Sequence, residues 1–177
     1  MRDVSFCYDL FAYPEARQHS ERAMGCLLWA AVHGCEAYLM YTPDRVPRLY
    51  DSGVRWQREV PTYQSGCGGP GQEKFLGPRQ VLQQGHADCE DVATWRVAEL
   101  RAGTAPPRFS MGPLEGHPKP TVLPPPWGGL EPKFNAWPAF FVRETMPGIF
   151  TYHIVVFWPD GRFEDPSRQL GMGRRYG

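Results

Sequence analysis

The stretch Gly85-His86-Ala87-Asp88-Cys89-Glu90-Asp91-Val92-Ala93-Thr94-Trp95 decides how the rest of the chain is read. It sets a cysteine where a loop turns into a helix. Cys89, Ala93, Val97 and Leu100 recur at helical spacing and Gly103 offers a C-terminal stop. A helix is therefore expected from at or just after Asp88 to Gly103, with Arg96, Glu99 and Arg101 facing away from that stripe. The plain reading of Cys89 is the first residue of a buried stripe. The sharper reading is a nucleophile. Just upstream, Pro78 can open a short helix carrying Val81 and Leu82 as far as Gly85, because its missing donor is harmless in a first turn.

A thiol attacks only when a base takes its proton, and that base needs a third group to hold its ring. The chain supplies His153 and Asp165 for these roles. Thr151 to Trp158 is dense in β-branched and aromatic residues and reads as a strand. Pro159-Asp160-Gly161 is a turn, and Arg162 to Asp165 returns as the other arm of a hairpin. Counting the ladder through Pro159-Asp160-Gly161-Arg162 sets Asp165 opposite Val156 or Phe157. That is about 10 Å along the strand from His153 at ~3.3 Å per residue. A lone histidine on such a strand is ordinarily a core or edge residue; His153 gains weight from the Asp165 that follows it.

Outward from this centre, residues 17 to 40 carry Met24, Leu27, Leu28, Ala31, Val32, Cys35, Tyr38 and Leu39 at spacings of three and four, which marks a long helix ended by Thr42-Pro43. His33 and Cys35 read as core or edge residues there. Residues 43 to 74 read as irregular, with Ser65-Gly66-Cys67-Gly68-Gly69-Pro70-Gly71 as a flexible turn. Ala139 to Arg143 reads as a further strand. Helices first and antiparallel strands last make an α+β fold. In it the nucleophile stands at the N-terminus of a helix packed on an antiparallel sheet that carries His and Asp. The 177 residues suit one domain, 1–177, with a proline-rich loop insertion at 104–138 where no helix or central strand is expected. That insertion reads equally as a lid on the cleft or as a strap packed by Trp127, Phe134 and Trp137.

The charge around the thiol is unfavourable. A helix N-terminus contributes about 0.3 to 1 kcal/mol toward a thiolate. One carboxylate ~7 Å away costs roughly 0.6 kcal/mol at a dielectric of 80 and about 2.4 at 20. Asp88, Glu90 and Asp91 together therefore outweigh the helix, and an active Cys89 needs something positive beside it. An imidazolium at His153 is one answer, and a calcium ion held by Asp88, Glu90 or Asp91 is another. Acidic residues also suit any first helical turn, with Asp88 as a natural cap, and need no metal.

Nineteen basic residues balance nineteen acidic ones, which argues against nucleic acid or an anionic membrane as partner. Met1-Arg2-Asp3-Val4-Ser5 lacks a secretion signal, and no apolar run approaches the ~18 to 20 residues of a membrane span. Five cysteines without metal-ligand spacing favour reduced thiols, hence a cytoplasmic setting.

The motif Gly85-His86-Ala87-Asp88-Cys89-Glu90-Asp91-Val92-Ala93, with Tyr152-His153-Ile154-Val155-Val156 and Glu164-Asp165-Pro166-Ser167, resembles the transglutaminase-like, papain-like superfamily of cysteine hydrolases, and within it the bacterial transglutaminase-like cysteine proteinases. Leu49-Tyr50-Asp51-Ser52-Gly53-Val54-Arg55-Trp56, the cysteine helix through Arg101, and Glu164 to Met172 are similar to small proteins of tailed phages and prophages. The resemblance spans most of residues 45 to 172. It implies a papain-like core with Cys89, His153 and Asp165 as a catalytic triad. It further implies an oxyanion-hole role for Gln83, six residues before Cys89, although Gln84 stands beside it. No cofactor is required, and calcium would be held by Asp88 and Glu90. The N-terminal third and the proline-rich insertion resemble nothing in the proteinases.

Two kinds of function follow. One is a cysteine hydrolase or acyltransferase acting on peptide or isopeptide amides through a thioester, with a protein substrate in the host cytoplasm or in a virion. The other is a catalytically silent virion or assembly protein that keeps the fold as a binding module. The aromatics Trp56, Tyr63, Trp127, Trp137 and Tyr176, and a tail from Gly171 to Gly177, suit the second.

Overall fold

Eleven consecutive residues of one helix, Glu90 to Leu100, are buried, so this helix is the centre about which the other elements pack. The computed structural model describes residues 6–9, 17–42, 45–58, 72–108, 120–122, 134–146 and 149–173. In chain order these form β1 (Phe6–Asp9), α1 (Arg17–Tyr41), a 3₁₀ turn (Leu49–Asp51), β2 (Arg55–Trp56), β3 (Gln72–Phe75), α2 (Pro78–Gln84), β4 (His86–Ala87), α3 (Cys89–Ala102), β5 (Thr121–Val122), β6 (Trp137–Met146), β7 (Ile149–Phe157), β8 (Phe163–Glu164) and α4 (Pro166–Gln169). The fold is mixed α+β, as the order of helices and strands implied.

Both helices flanking the motif end as their glycines require. Gly85 and Gly103 take φ of +74° and +71°, a left-handed conformation with no steric cost for a residue lacking Cβ. The spacing read along α1 is also real: Met24, Leu28, Trp29, Val32, Cys35 and Leu39 are buried. Contrary to the sequence expectation, Glu21–Tyr41 is long and apolar enough to pass for a membrane span. Part of its apolar surface has packing partners, while Met40 and Tyr41 are exposed. Met24 and Leu28 meet Ala93 and Ile154, while Trp29 and Val32 meet Val97, Leu100 and Val156.

The main sheet has four antiparallel strands in the order β5-β6-β7-β8. Even-numbered residues of β7 face the helices, with Ile154 and Val156 in the two clusters that hold α3. Odd-numbered Val155 packs with Ala139 and Phe141 on the other face. One expectation for 104–138 needs correction: Pro138 lies in β6, an inner strand, opposite Val156. Thr121–Val122 forms a short edge strand, which an expectation of no helix or central strand allows. Among the described residues β5 pairs with Phe140 and Ala139, and Pro138 stands next along β6, at the start of the strand, where a proline is best accommodated. Residues 109–119 and 123–133, including Trp127, lie outside the described residues, as do Ser65 to Gly71, Tyr63 and Tyr176.

The segment expected to be irregular before α2 carries structural order. β2 pairs in parallel with β4, Arg55 opposite His86 and Trp56 opposite Ala87. The Trp56 N–H donates to the Leu170 carbonyl at 2.9 Å, and that of Gln57 to Ala87 at 2.9 Å. One short strand thus joins the entrance of α3 to the end of α4.

Candidate active site

Asp88 occupies the N-cap position of α3 with extended backbone, but its side chain does not cap the helix. The expectation that it serves as an ordinary cap is corrected; the first backbone donors of α3 are left for other acceptors. Cys89 opens the first turn. Its side chain packs beside Ala93, Phe140, Ile154 and Tyr152. The thiol stands 3.4 Å from Glu90 Oε2 and 3.9 Å from the carbonyl oxygen of Tyr152. A strand carbonyl lies in the plane of its sheet, so the thiol meets β7 edge-on, one residue before His153.

His153 pairs with Phe141 in the ladder and belongs by alternation to the face opposite Tyr152 and Ile154. Its ring Nε2 lies 2.9 Å from Asp165 Oδ2. The register differs by one residue from the sequence count. Phe157 pairs with Phe163 and Val156 with Glu164, so continuing the count sets Asp165 opposite Val155. The turn closes through the Arg162 carbonyl, which accepts from Trp158 N, and through Asp160 Oδ1, which accepts from Arg162 N at 3.0 Å. Trp158 and Arg162 thereby close the loop as its flanking pair, with Pro159 to Gly161 between them. His153 and Asp165 become diagonal neighbours, two residues or ~6.6 Å apart along the strand. A histidine and an aspartate on one face can span that.

Asp165 is 1% exposed and leaves the ladder as the N-cap of α4. Its Oδ1 accepts from Arg168 N at 3.1 Å, and Arg168 Nε lies 3.2 Å from Oδ2. With Nε2 turned to the carboxylate as donor, Nδ1 is the nitrogen left to accept a proton. Of the residues expected at the site, His153 and Asp165 are joined directly, whereas Cys89 packs with Tyr152 and Ile154, on the face of β7 opposite His153, and meets the strand through the Tyr152 carbonyl. Gln83 is exposed on the last turn of α2, with no described bond to the thiol.

One oxygen each from Asp88, Glu90 and Asp91 lies within 4.8 Å of the others. Such a group fits a hard cation, although Asp91 Oδ1 already accepts from Leu76 N at 2.7 Å. Calcium there would neutralise part of the negative charge beside Cys89.

Beneath the site lies a buried polar network that the sequence reading did not single out. Arg96, 1% exposed, donates through Nε to Glu164 Oε1 at 2.7 Å and through Nη1 to Glu99 Oε2 at 3.0 Å. Glu164, fully buried, also accepts from the Tyr50 hydroxyl and, at 3.0 Å, from Arg108 N. Glu99 Oε1 accepts from Leu49 N at 2.6 Å. The Tyr50 ring has guanidinium carbons 4.9 Å and 4.8 Å from its centroid, those of Arg96 and Arg108. Burial, then the Glu164 charge, pushes the Tyr50 phenol far above its ordinary value. Burial opposes the charge on Arg96, but bonding to Glu164 outweighs it and keeps the guanidinium protonated. Burial raises Glu99 despite its bonds to Leu49 and Arg96. The available signal was two charged residues, Arg96 and Glu99, inside the run Trp95 to Leu100.

No family model, curated protein or solved structure matches the chain.

Proposed function

We propose that this chain is a transglutaminase-like cysteine hydrolase or acyltransferase of the tailed-phage type, with a papain-like core, acting on peptide or isopeptide amides. The observation that carries the reading is the His153–Asp165 bond at 2.9 Å on the strand whose Tyr152 carbonyl lies against Cys89. In this mechanism His153 Nδ1 takes the thiol proton as Cys89 Sγ attacks the amide carbonyl carbon. Asp165 holds the imidazolium that forms. The tetrahedral intermediate collapses, its C–N bond breaks, and the leaving amine takes the proton from His153. Water or a second amine then resolves the thioester, regenerating the thiol. The backbone N–H of Cys89 is one candidate oxyanion donor, with Gln83 as its proposed partner. Calcium on Asp88 and Glu90 would supply positive charge beside the thiol and take no part in the bond changes. The substrate is a protein met in the host cytoplasm or in the virion.

A second reading has its own observation. Two described contacts of the thiol, Glu90 Oε2 and the Tyr152 carbonyl, are acceptors, and such contacts favour a proton on sulfur. A virion or assembly protein retaining the fold without turnover would have this arrangement.

Alkylation by iodoacetamide decides between them, followed at Cys89 by peptide mass because Cys26 is also exposed. A hydrolase shows rapid modification at neutral pH that collapses in His153→Ala. Slow modification at the same rate in both proteins assigns the binding module.

A further inference from the structure

Asp165 has two basic partners, and only one belongs to the proposed triad. His153 Nε2 lies 2.9 Å from Oδ2, and Arg168 Nε reaches the same oxygen at 3.2 Å. The backbone N–H of Arg168 holds the other oxygen, Oδ1, at 3.1 Å. The carboxylate is 1% exposed on its side chain, while the Arg168 side chain is 40% exposed. One residue therefore grips both oxygens of a buried carboxylate from the solvent side. The backbone bond to Oδ1 is the directional one, and the guanidinium, at 3.2 Å from Oδ2, acts on the carboxylate through its charge.

We propose that Arg168 is a positioning residue for His153, fixing the Asp165 carboxylate and dividing the charge of Oδ2 between ring and guanidinium. The arrangement follows from local structure. Asp165 is the N-cap of α4, Pro166 fills the first helical position, and Arg168 is the residue whose N–H a cap normally takes. Its side chain then folds back over the same cap. Because the backbone bond to Oδ1 survives any substitution other than proline, removing the guanidinium does not free the carboxylate to turn. It takes one cation away from Oδ2, and the ring N–H bond of His153 to that oxygen strengthens.

The proposal deepens the hydrolase reading and takes its functional meaning from it, but its test does not depend on turnover. The Nε2 nitrogen shift of His153 in the full-length protein is read through the carbon-bound ring protons at one fixed pH, with His153→Ala providing the assignment. In Arg168→Gln the Nε2 resonance moves downfield, as expected for a donor facing a carboxylate with one cation fewer. In Arg168→Lys, which retains a positive charge, it returns toward the wild-type position. A resonance unmoved in Arg168→Gln overturns the proposal. So does an equal displacement in the Gln and Lys variants, since charge would then not be the cause. Thermal unfolding of the three proteins verifies that each is folded. If the ring responds as stated while alkylation of Cys89 ignores His153, Arg168 keeps its positioning role and the hydrolase reading fails alone.

Discussion

Glu164→Gln and Glu99→Gln remove one negative charge each from the same buried arginine, yet they are expected to differ about twofold in cost. Glu164 is fully buried, and its two oxygens accept from Arg96 Nε, Arg96 Nη2, the Tyr50 hydroxyl and Arg108 N. A glutamine there can keep the Oε1 bonds, but its amide N–H₂ must face the donors Arg96 Nη2 and Arg108 N. The guanidinium loses its main counter-charge. Breaking a buried pair from one side costs about 3 to 5 kcal/mol. At roughly 2 to 4 °C per kcal/mol for a chain of this size, the melting temperature falls by about 6 to 20 °C. Glu99→Gln keeps its acceptor for Leu49 N and sets one amide against Arg96 Nη1, a single mismatched buried donor worth about 1 to 3 kcal/mol.

The pH dependence separates the two further. Burial holds the Glu99 carboxyl above its ordinary value. A raised folded value means that the native state binds the proton more tightly than the unfolded chain. The stability this contributes is fully present below the unfolded value and is lost as pH rises through the folded one. The gap between wild type and Glu99→Gln therefore narrows as pH climbs out of the acid range. Urea unfolding of the three proteins at several pH values measures both effects. Equal costs for the two substitutions, or a Glu99 gap that widens with pH, would refute the account of the network.

Other expectations follow from single contacts. Asp165→Asn loses the carboxylate that serves His153 and Arg168, and the alkylation rate of Cys89 drops at least about tenfold, or ~1.4 kcal/mol in barrier. An unchanged rate would remove Asp165 from the site. Gly85→Ala meets no atom within 4 Å, so its cost is conformational alone, about 1 to 2 kcal/mol at φ +74°, read from the urea midpoint. Calcium raises the melting temperature of the wild type and speeds alkylation of Cys89. Neither effect survives in the double substitution Asp88→Asn with Glu90→Gln, and a wild type indifferent to calcium would end the metal reading.

Where the chain could be read in advance, the reason was local. Gly85, Gly103 and Gly161 each sit at a positive φ that favours glycine, so their positions announced two helix ends and one turn. The register of the β7–β8 hairpin differs by one residue because Trp158 N donates to the Arg162 carbonyl and closes the loop on Pro159 to Gly161, one residue tighter than a count through Arg162, a bond that hydrophobic alternation does not reveal. The slip mattered: it left Asp165 apparently too far from His153, when the true register makes them diagonal neighbours. Arg96, Glu99 and Glu164 were illegible for a different reason. A charged residue in a buried stripe shows that a partner must exist but not which, and Glu164 is 68 residues from Arg96.

That long-range pair also bears on the site. Arg96 lies seven residues, or ~10.5 Å, down α3 from Cys89, and Glu164 directly precedes Asp165. Their bond therefore spans the two elements that carry the ends of the proposed triad. Tyr50 and Leu49 tie the same network to the strand that passes β4 and reaches Leu170. The distance from thiol to carboxylate is accordingly set by a buried ionic joint in the core rather than by loops. A substitution in that joint mild enough to leave the protein folded should alter Cys89 alkylation together with thermal stability, whereas Arg168→Gln should move the His153 ring with little change in melting temperature.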